Sequence, residues 1–141
     1  MPRFFGSSVA AAILAAAVGC ASHLPDQDLR ILSAAPAAKL SSDDLWQDFQ
    51  KDAKAAQTRY FGAAVDVSGK IISIDTGGTA GKSPTILFTL ADQHGVRARL
   101  LDDRAADIIK TAVVYTRITL RCFCEGLDAQ QNVLLKSCIK P

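Results

Sequence analysis

The 141-residue chain has little excess charge and few aromatic rings. Sixteen Lys and Arg residues oppose fourteen Asp and Glu residues, so the formal net charge is +2, and aromatic residues make up 6% of the sequence. A near-neutral balance argues against a strong electrostatic grip on nucleic acid or on anionic lipid. Stacking of single-stranded bases also relies on aromatic side chains, which are scarce here. Nucleic-acid binding is therefore not expected.

Residues suited to catalysis or metal binding are equally scarce. The two histidines, His23 and His94, have no ligand partner near them in sequence. Three cysteines close to the C-terminus, Cys122, Cys124 and Cys138, are too few for the tetrahedral ligand set of a structural zinc site. No Cys–His arrangement for activating a nucleophile is visible. We therefore predict no enzymatic activity, no metal and no cofactor.

The glycine-rich segment 77–83 falls short of a phosphate loop. One residue too few separates Gly77 from Gly81, and Pro84 opens a strand where a helix would have to begin. We interpret this segment as a loop between two strands. A loop in this position can still contribute to a binding site, because binding residues are often carried by loops.

A long membrane-spanning segment is also missing. A transmembrane helix needs about 20 strongly apolar residues. The apolar run 4–18 is shorter, is rich in alanine and follows a single charge, Arg3. Its length and its flanking charge are typical of the core of a signal peptide.

The apolar run ends in the tetrapeptide Ala17-Val18-Gly19-Cys20. This tetrapeptide resembles the lipobox of bacterial lipoproteins, with Ala17 where Leu is usual. The resemblance implies cleavage after Gly19, thioether lipidation of Cys20 and N-acylation, which would hold the protein firmly on a membrane. The alternative is an ordinary signal peptide cut at an Ala-x-Ala site, with Cys20 incidental.

The residues after Cys20 bear on the choice of membrane. In Gram-negative lipoproteins an Asp directly after the lipidated cysteine favours retention in the inner membrane. Ala21 and Ser22 stand here instead. By this resemblance we expect the bacterial cell envelope, on the periplasmic side of the outer membrane.

These features divide the chain into three parts. Residues 1–19 are predicted to be the lipoprotein signal peptide, 20–40 the lipidated cysteine with a flexible tether, and 41–141 one folded domain. The tether has no sustained hydrophobic period, and Pro25 and Pro36 interrupt any long helix. As a flexible chain of about 20 residues it would reach roughly 25 Å.

The domain pattern predicts one helix followed by five strands. Polar residues of 41–44 suit a helix start, and apolar residues then recur at helical spacing as far as Tyr60. From Ala64 the hydrophobic period changes to two, with Gly69 inside the first strand, as at a barrel corner. The other predicted strands are 85–90, 96–101, 113–124 and 132–139, with a short helix over 102–110.

This order predicts a mainly β fold. Five strands with a short helix between the third and the fourth match the OB-fold barrel, here preceded by an N-terminal amphipathic helix. The strands are rich enough in Val, Ile, Leu and Phe to fill a small barrel.

Several segments then carry a family resemblance. They are Leu45, Phe49, Ala55-Ala56 and Tyr60-Phe61-Gly62, then Val65 to Ile74, Ile118 to Gly126, and Val133 to Cys138. In these residues the chain is similar to the bacterial OB-fold proteins called tRNA-anticodon-like, which are often exported or lipid-anchored. Asp52 stands where the family often has Asn, and Thr111-Ala112 where it favours a glycine turn. The resemblance implies the fold over most of residues 42–141, but no catalytic or nucleotide-binding set.

One disulfide and one leftover thiol are expected outside the cytoplasm, since Cys20 is committed to lipid. Cys124 and Cys138 lie on successive predicted strands joined by a short turn, which brings them within bridging range. The Cys-x-Gly…Cys pattern of the resembled family also implies this pair. The alternative is a bridge between Cys122 and Cys138.

The resemblance and the composition together predict a binding protein. We expect a lipid-anchored envelope adaptor, held on the membrane through Cys20, that contacts an envelope protein. The alternative is a binder of oligosaccharide or of another small anionic ligand through the face of the second and third strands. A solvated strand face would explain the same basic residues. The ligand-face candidates are Lys82, Phe88, Arg97, Arg99, Arg117 and Arg121.

Overall fold

A computed structural model describes residues 23–78, 82–88 and 94–141, and in these residues the chain forms six β-strands and three α-helices. The strands are β1 (Ala38–Ser41), β2 (Ala64–Asp75), β3 (Thr85–Phe88), β4 (Val96–Leu100), β5 (Arg117–Leu127) and β6 (Val133–Ile139). The helices are α1 (Ser42–Lys51), α2 (Ala53–Tyr60) and α3 (Asp102–Thr111), preceded by a 3-10 helix, Leu29–Leu32.

Five of the strands close a barrel. The order is β2-β3-β4-β6-β5, and β5 returns to pair with β2. All of these pairings are antiparallel except that of β4 with β6, which is parallel. The predicted mainly β class and the five-stranded barrel are therefore confirmed, with β2 as the first predicted strand and β6 as the fifth.

Gly69 lies where β2 changes partners. The pairing of β2 with β5 ends at Lys70, and the pairing with β3 begins at Ile71. A Cβ atom on Gly69 would lie 2.5 Å from Ser42 Oγ and 2.7 Å from Phe88 Cδ1. Glycine is required here because the start of α1 and a core ring both approach the backbone, and this explains the glycine inside the strand.

The barrel interior is filled by the inward side chains of every strand. Helices α1 and α2 add Leu45, Phe49 and Tyr60 to this core. The Tyr60 hydroxyl donates a 2.6 Å hydrogen bond to Asp48 Oδ2. Burial, followed by this bond, raises the pKa of Tyr60 to about 12. The strand residues that are completely buried include Val65, Val67, Ile71, Ile86, Val96, Leu100, Leu120 and Leu135.

The single helix predicted to end near Tyr60 is divided in two at Asp52. This residue has an extended backbone (φ −156°, ψ 94°), and its carboxylate accepts a 3.0 Å hydrogen bond from the Ala55 amide. Asp is a favoured N-cap because its side chain satisfies an otherwise unpaired amide of the first turn. The hydrophobic spacing alone did not reveal this interruption, and the expectation of one continuous helix is wrong.

The expected flexible tether is also wrong for the described residues 23–40, because this segment packs on the barrel. Ile31 is completely buried against Ala64, Leu101 and Ile139. Farther along, β1 pairs in parallel with β2, from Ala38 beside Val65 to Ser41 beside Ser68. A single buried side chain, Ile31, and a strand of four residues, β1, do not require a sustained hydrophobic period. The hydrophobic pattern of the sequence therefore did not reveal either of them. Cys20 and the predicted signal peptide lie outside the described residues.

The disulfide joins Cys122 to Cys138, and the prediction of Cys124 with Cys138 is wrong. The β5–β6 pairing is irregular between Arg121 and Phe123. Arg121 pairs with Ile139 and Phe123 with Lys136, so two steps along β5 correspond to three steps along β6. This irregularity brings the Cα atoms of Cys122 and Cys138 to 4.2 Å. Cys124 instead lies opposite Leu135 as a buried free thiol, whose pKa burial raises to about 12.

None of the helices within the described ranges is both long and apolar enough to cross a membrane.

We predict that Gly69→Ala lowers the free energy of unfolding by about 1–3 kcal/mol, because the new methyl group overpacks the contact with Ser42 and Phe88. Urea unfolding measures the change. Ser68→Ala, on the next residue of the strand, is the control. It removes only an exposed 2.6 Å hydrogen bond to Thr119 and is expected to cost less. Equal losses for the two variants would contradict the packing role of Gly69.

We predict that alkylation of the non-reduced protein modifies Cys124 only after denaturation. Thiolate is the reactive form, and the native pKa of about 12 keeps it scarce at pH 8. Because the unfolded thiol ionises near pH 8.5, this group makes the fold progressively less stable from about that pH upward. Mass mapping identifies the modified residue. Modification of Cys122 would contradict the assigned bridge to Cys138. Removal of this bridge is expected to lower the free energy of unfolding by about 3 kcal/mol.

Candidate functional site

The outer surface of β3 and β4 is the place where an OB-fold barrel most often holds its ligand, together with the loops beside it. On β4 the buried residues alternate with Arg97 and Arg99, so both arginines face outward. On β3 the outward residues are Thr85 and Leu87. This surface is the candidate ligand face.

Phe88 does not belong to this face. Its side chain is 1% exposed, because it follows Ile86 on the inward side of β3. It contributes to the core beside Gly69. The expectation that Phe88 offers a ring for stacking is therefore wrong, and the period of two within β3 is the physical reason.

Three of the four candidate arginines are already opposed by carboxylates. Arg99 Nη1 lies 2.9 Å from Asp26 Oδ1, and Arg97 Nη1 lies 3.9 Å from Asp128 Oδ2. Arg121 makes a bidentate pair with Asp66 at 2.7 and 3.0 Å, and the hydrogen bond from that pair raises the pKa of Arg121. Such pairs reduce the charge that the face offers to a ligand.

The remaining two candidates lie apart from this face. Lys82 is exposed in the loop that leads into β3. Arg117 is exposed at the start of β5 and lines a groove of about 320 Å³ at that end of the barrel. Of the candidates, only Arg97 and Arg99 lie together on the β3–β4 face, because Arg121, like Arg117, belongs to β5.

A short N-terminal segment crosses the candidate face, and we call residues 23–27 the N-terminal strap. Its first backbone contacts are with β5 and β6. The Leu24 amide donates to Glu125 Oε1 at 2.8 Å, and Lys136 Nζ donates to the Leu24 carbonyl at 3.0 Å. The strap therefore lies across β5 and β6, and β6 is the strand that borders the candidate face through its pairing with β4.

Asp26 of the strap sits between two cations. Its Oδ1 atom lies 2.9 Å from Arg99 Nη1 and 3.0 Å from Lys136 Nζ. The hydrogen bond from Lys136 is the largest cause that lowers the pKa of Asp26. Burial by itself lowers the pKa of Lys136, but the hydrogen bonds with Glu125 and Asp26 outweigh it, so the net shift is upward.

Lys136 is the most buried charge of this cluster. Its side chain is 7% exposed, and its ammonium lies 2.8 Å from Glu125 Oε1. A buried ammonium is tolerated only when charged and hydrogen-bonding partners surround it. Sequence reasoning missed this residue and the strap, although a lysine within the apolar strand Val133–Ile139 was the available signal.

Gln27 completes the strap by binding the start of α3. Leu101 precedes this helix and offers no side-chain cap, whereas Gln27 Oε1 accepts a 2.8 Å hydrogen bond from the Asp102 amide. Gln27 Nε2 also donates to Ser83 Oγ at 2.9 Å. Asp102 itself is the first residue of α3, as the predicted helix over 102–110 has it.

An open groove of about 750 Å³ adjoins the beginning of the strap. His23 lines it together with Glu125 and Lys136, and Phe49 and Leu134 contribute apolar surface. Throughout the described parts of the chain, no group of three or more His, Cys, Asp or Glu residues is placed to hold a metal ion. The site is thus a surface of paired charges beside an apolar groove.

We predict that Asp26→Asn releases the strap while the barrel stays folded. Arg99 and Lys136 lose a charged acceptor, and Asp26 makes no contribution to the buried core. Amide hydrogen exchange at Leu24 and Asp28, whose amides donate to Glu125 and Ser137, is expected to accelerate, with the protection of β2 and β5 unchanged. Asp107→Asn, an exposed change of the same charge on α3, is the control. Equal exchange in both variants would contradict the role of Asp26.

Acid is expected to act like this substitution. The pKa of Asp26 is lowered in the fold, so its contribution is present above the unfolded pKa of about 3.9 and is lost as the pH falls through the folded value. Chemical-shift titration of the strap amides in wild type and in Asp26→Asn measures the effect. The variant should lack the part of the transition that belongs to Asp26.

Comparison with known proteins supports the architecture. The tRNA_anti-like family profile matches residues 4–139. A search of curated protein sequences gives no significant match. The fold is similar to the crystal structure of a lipoprotein from Klebsiella pneumoniae subsp. pneumoniae MGH 78578, whose name proposes nucleic-acid binding.

That structural match has a TM-score of 0.59 at 16% identity and covers 82% of this chain and 97% of the other. At this identity the match supports the fold alone. The family match, which spans nearly the whole chain, agrees with the closed barrel and with the earlier resemblance. The chain belongs to the tRNA_anti-like family.

Proposed function

We propose that this protein is a lipid-anchored binding protein of the cell envelope that contacts a protein partner and catalyses no reaction. The observation that carries the proposal is the exposed apolar loop Val113–Tyr115, between α3 and β5. Val113 is 58% exposed, Val114 37% and Tyr115 68%. Adjacent apolar side chains at the surface are a mark of interaction sites, and Tyr is enriched in protein interfaces.

The loop is held in a fixed shape. The Tyr115 amide donates to the Ile71 carbonyl at 2.7 Å, and the Ile71 amide donates to the Thr116 carbonyl at 2.9 Å. Tyr115 has φ +70°, a left-handed backbone that is uncommon for a residue other than glycine. The centre of the Tyr115 ring lies 5.7 Å from Lys70 Nζ, yet the residue remains 68% exposed, and contact with a partner would give the exposed ring of this strained residue a role.

The position of the loop also suits an adaptor. Strand β5 begins beside the loop at Arg117, and its residue Glu125 contacts the strap at Leu24. Eight residues of strand separate these points, which is about 26 Å. The loop is therefore well away from the N-terminal strap, which follows Cys20 in sequence.

Three observations support placement in the envelope. The sequence carries the lipobox-like segment that ends at Cys20. The disulfide between Cys122 and Cys138 fits an oxidising compartment. The structurally similar Klebsiella protein is called a lipoprotein. We propose lipidation of Cys20 and a location on the periplasmic side of the outer membrane.

The nucleic-acid binding that the name of the Klebsiella protein proposes is less well supported here. Phe88 is in the core, and Arg97, Arg99 and Arg121 face carboxylates. The same pairing weakens the alternative of an oligosaccharide or small anionic ligand on the β3–β4 face. A protein contact through Val113–Tyr115 requires none of these groups.

We predict that a photocrosslinking amino acid at Val113 captures one defined envelope protein in intact cells. The same amino acid at Gln130, which is exposed beyond the far end of β5, is the control and should not capture it. Adding Tyr115→Asn should abolish the crosslink, because the apolar ring is lost.

Asn tolerates the left-handed backbone, so the melting temperature of Tyr115→Asn should stay equal or rise. A crosslink that persists in this stable variant, or that appears equally at Gln130, would contradict the proposed contact.

A further inference from the structure

The N-terminal strap contacts the barrel in the way that a bound peptide would. Both backbone groups of Leu24 are paired, with Glu125 and with Lys136. The Asp26 carboxylate accepts from Arg99 and Lys136, and the Gln27 amide oxygen accepts from the Asp102 backbone. Backbone pairing combined with side-chain acceptors on fixed donors is a common mode of peptide recognition.

Release of the strap exposes little apolar surface. None of residues 23–27 is buried, and the Asp26 side chain is 59% exposed. The first completely buried side chain is Ile31, which keeps the following segment docked. Segments that are held by polar contacts at the surface open at low free energy compared with a core strand. Residues 23–27 are therefore able to leave while the barrel remains intact.

The groups beneath the strap define which ligand fits. Arg99 and Lys136 each carry a positive charge, and Glu125 offsets one of them. The uncapped amide of Asp102 adds a donor at the start of α3, and the carboxylates of Asp102 and Asp103 lie in the first turn of that helix. These carboxylates disfavour a highly charged anion such as nucleic acid, whereas one acidic side chain matches the net positive charge of Arg99, Lys136 and Glu125 taken together.

We propose that the channel beneath the strap is a binding site for an extended peptide segment with one acidic residue, belonging to a partner protein, and that residues 23–27 occupy it as a built-in competitor. This inference rests on the proposed function in that it assumes a protein partner. It assigns a second contact surface, separate from the Val113–Tyr115 loop. The partner's carboxylate takes the place of Asp26, and a backbone segment takes the place of Leu24.

The strap's own sequence provides the probe. The site is opened in the purified full-length protein by Asp26→Asn with Gln27→Ala, and a C-terminally amidated peptide of residues 22–27, Ser-His-Leu-Pro-Asp-Gln, is added. NMR of the labelled protein detects weak binding at millimolar concentration. We expect saturable shifts at Arg99, Asp102 and Lys136. The wild type should respond about tenfold more weakly, because its attached strap competes at an effective concentration in the millimolar range.

Matched controls test the recognition. A peptide with Asn in place of the Asp at position 26 should bind about fivefold more weakly, since a charge-assisted pair is worth more than a neutral one. Asp107→Asn should behave like wild type. The amide spectrum of the barrel reports whether the double variant is folded. Gln27→Ala alone is a second variant that weakens the docking of the strap less, because it keeps the ion pairs of Asp26.

Two results would overturn the proposal. The first is the absence of saturable shifts in both folded strap variants, which would make the strap a fixed part of the fold. The second is equal binding of the Asp and Asn peptides, which would show that the acidic group is not recognised. Neither result bears on the crosslink at Val113, so failure here is distinguishable from failure of the proposed function.

Discussion

The whole domain depends on strand β2, which has three different neighbours along its length. Its first half is paired with β1 on one edge and with β5 on the other, and its second half is paired with β3. The change of partner closes the barrel, and it occurs at Gly69, where a side chain would collide with Ser42 and Phe88. The position of α1, the inward orientation of Phe88 and the fixed loop at Tyr115 all follow from this closure.

The fold was predictable to a large extent because periods of two and a mid-strand glycine are properties of the chain itself. The five barrel strands, their order along the chain and the helix between the third and the fourth were predicted from these periods and this glycine. The divided helix at Asp52 and the bridge from Cys122 were not predictable in this way. Both depend on local backbone geometry, a cap in one case and an irregular β5–β6 pairing in the other, to which the hydrophobic pattern is insensitive.

The candidate site was less predictable than the fold. Basic residues were recognised by type, but their charge in the folded protein depends on carboxylates that are distant in sequence. Asp26 precedes Arg99 by 73 residues and Asp66 precedes Arg121 by 55. A segment with two prolines and no period suggested a free linker, yet Ile31 is sufficient to dock it. Long-range pairing of this kind becomes visible only when the strands are assembled.

The docked strap shortens the length of free chain between the barrel and Cys20. A free tether of 20 residues would leave the distance between the barrel and Cys20 variable. Only three residues lie between Cys20 and Leu24, so the chain between these two residues spans at most about 14 Å. If Cys20 is lipidated, the apolar loop then stands no more than roughly 40 Å above the bilayer surface, given about 26 Å along β5. While the strap is docked, the protein would act as a spacer of limited length, and it would select partners by how far their own surfaces extend from the membrane.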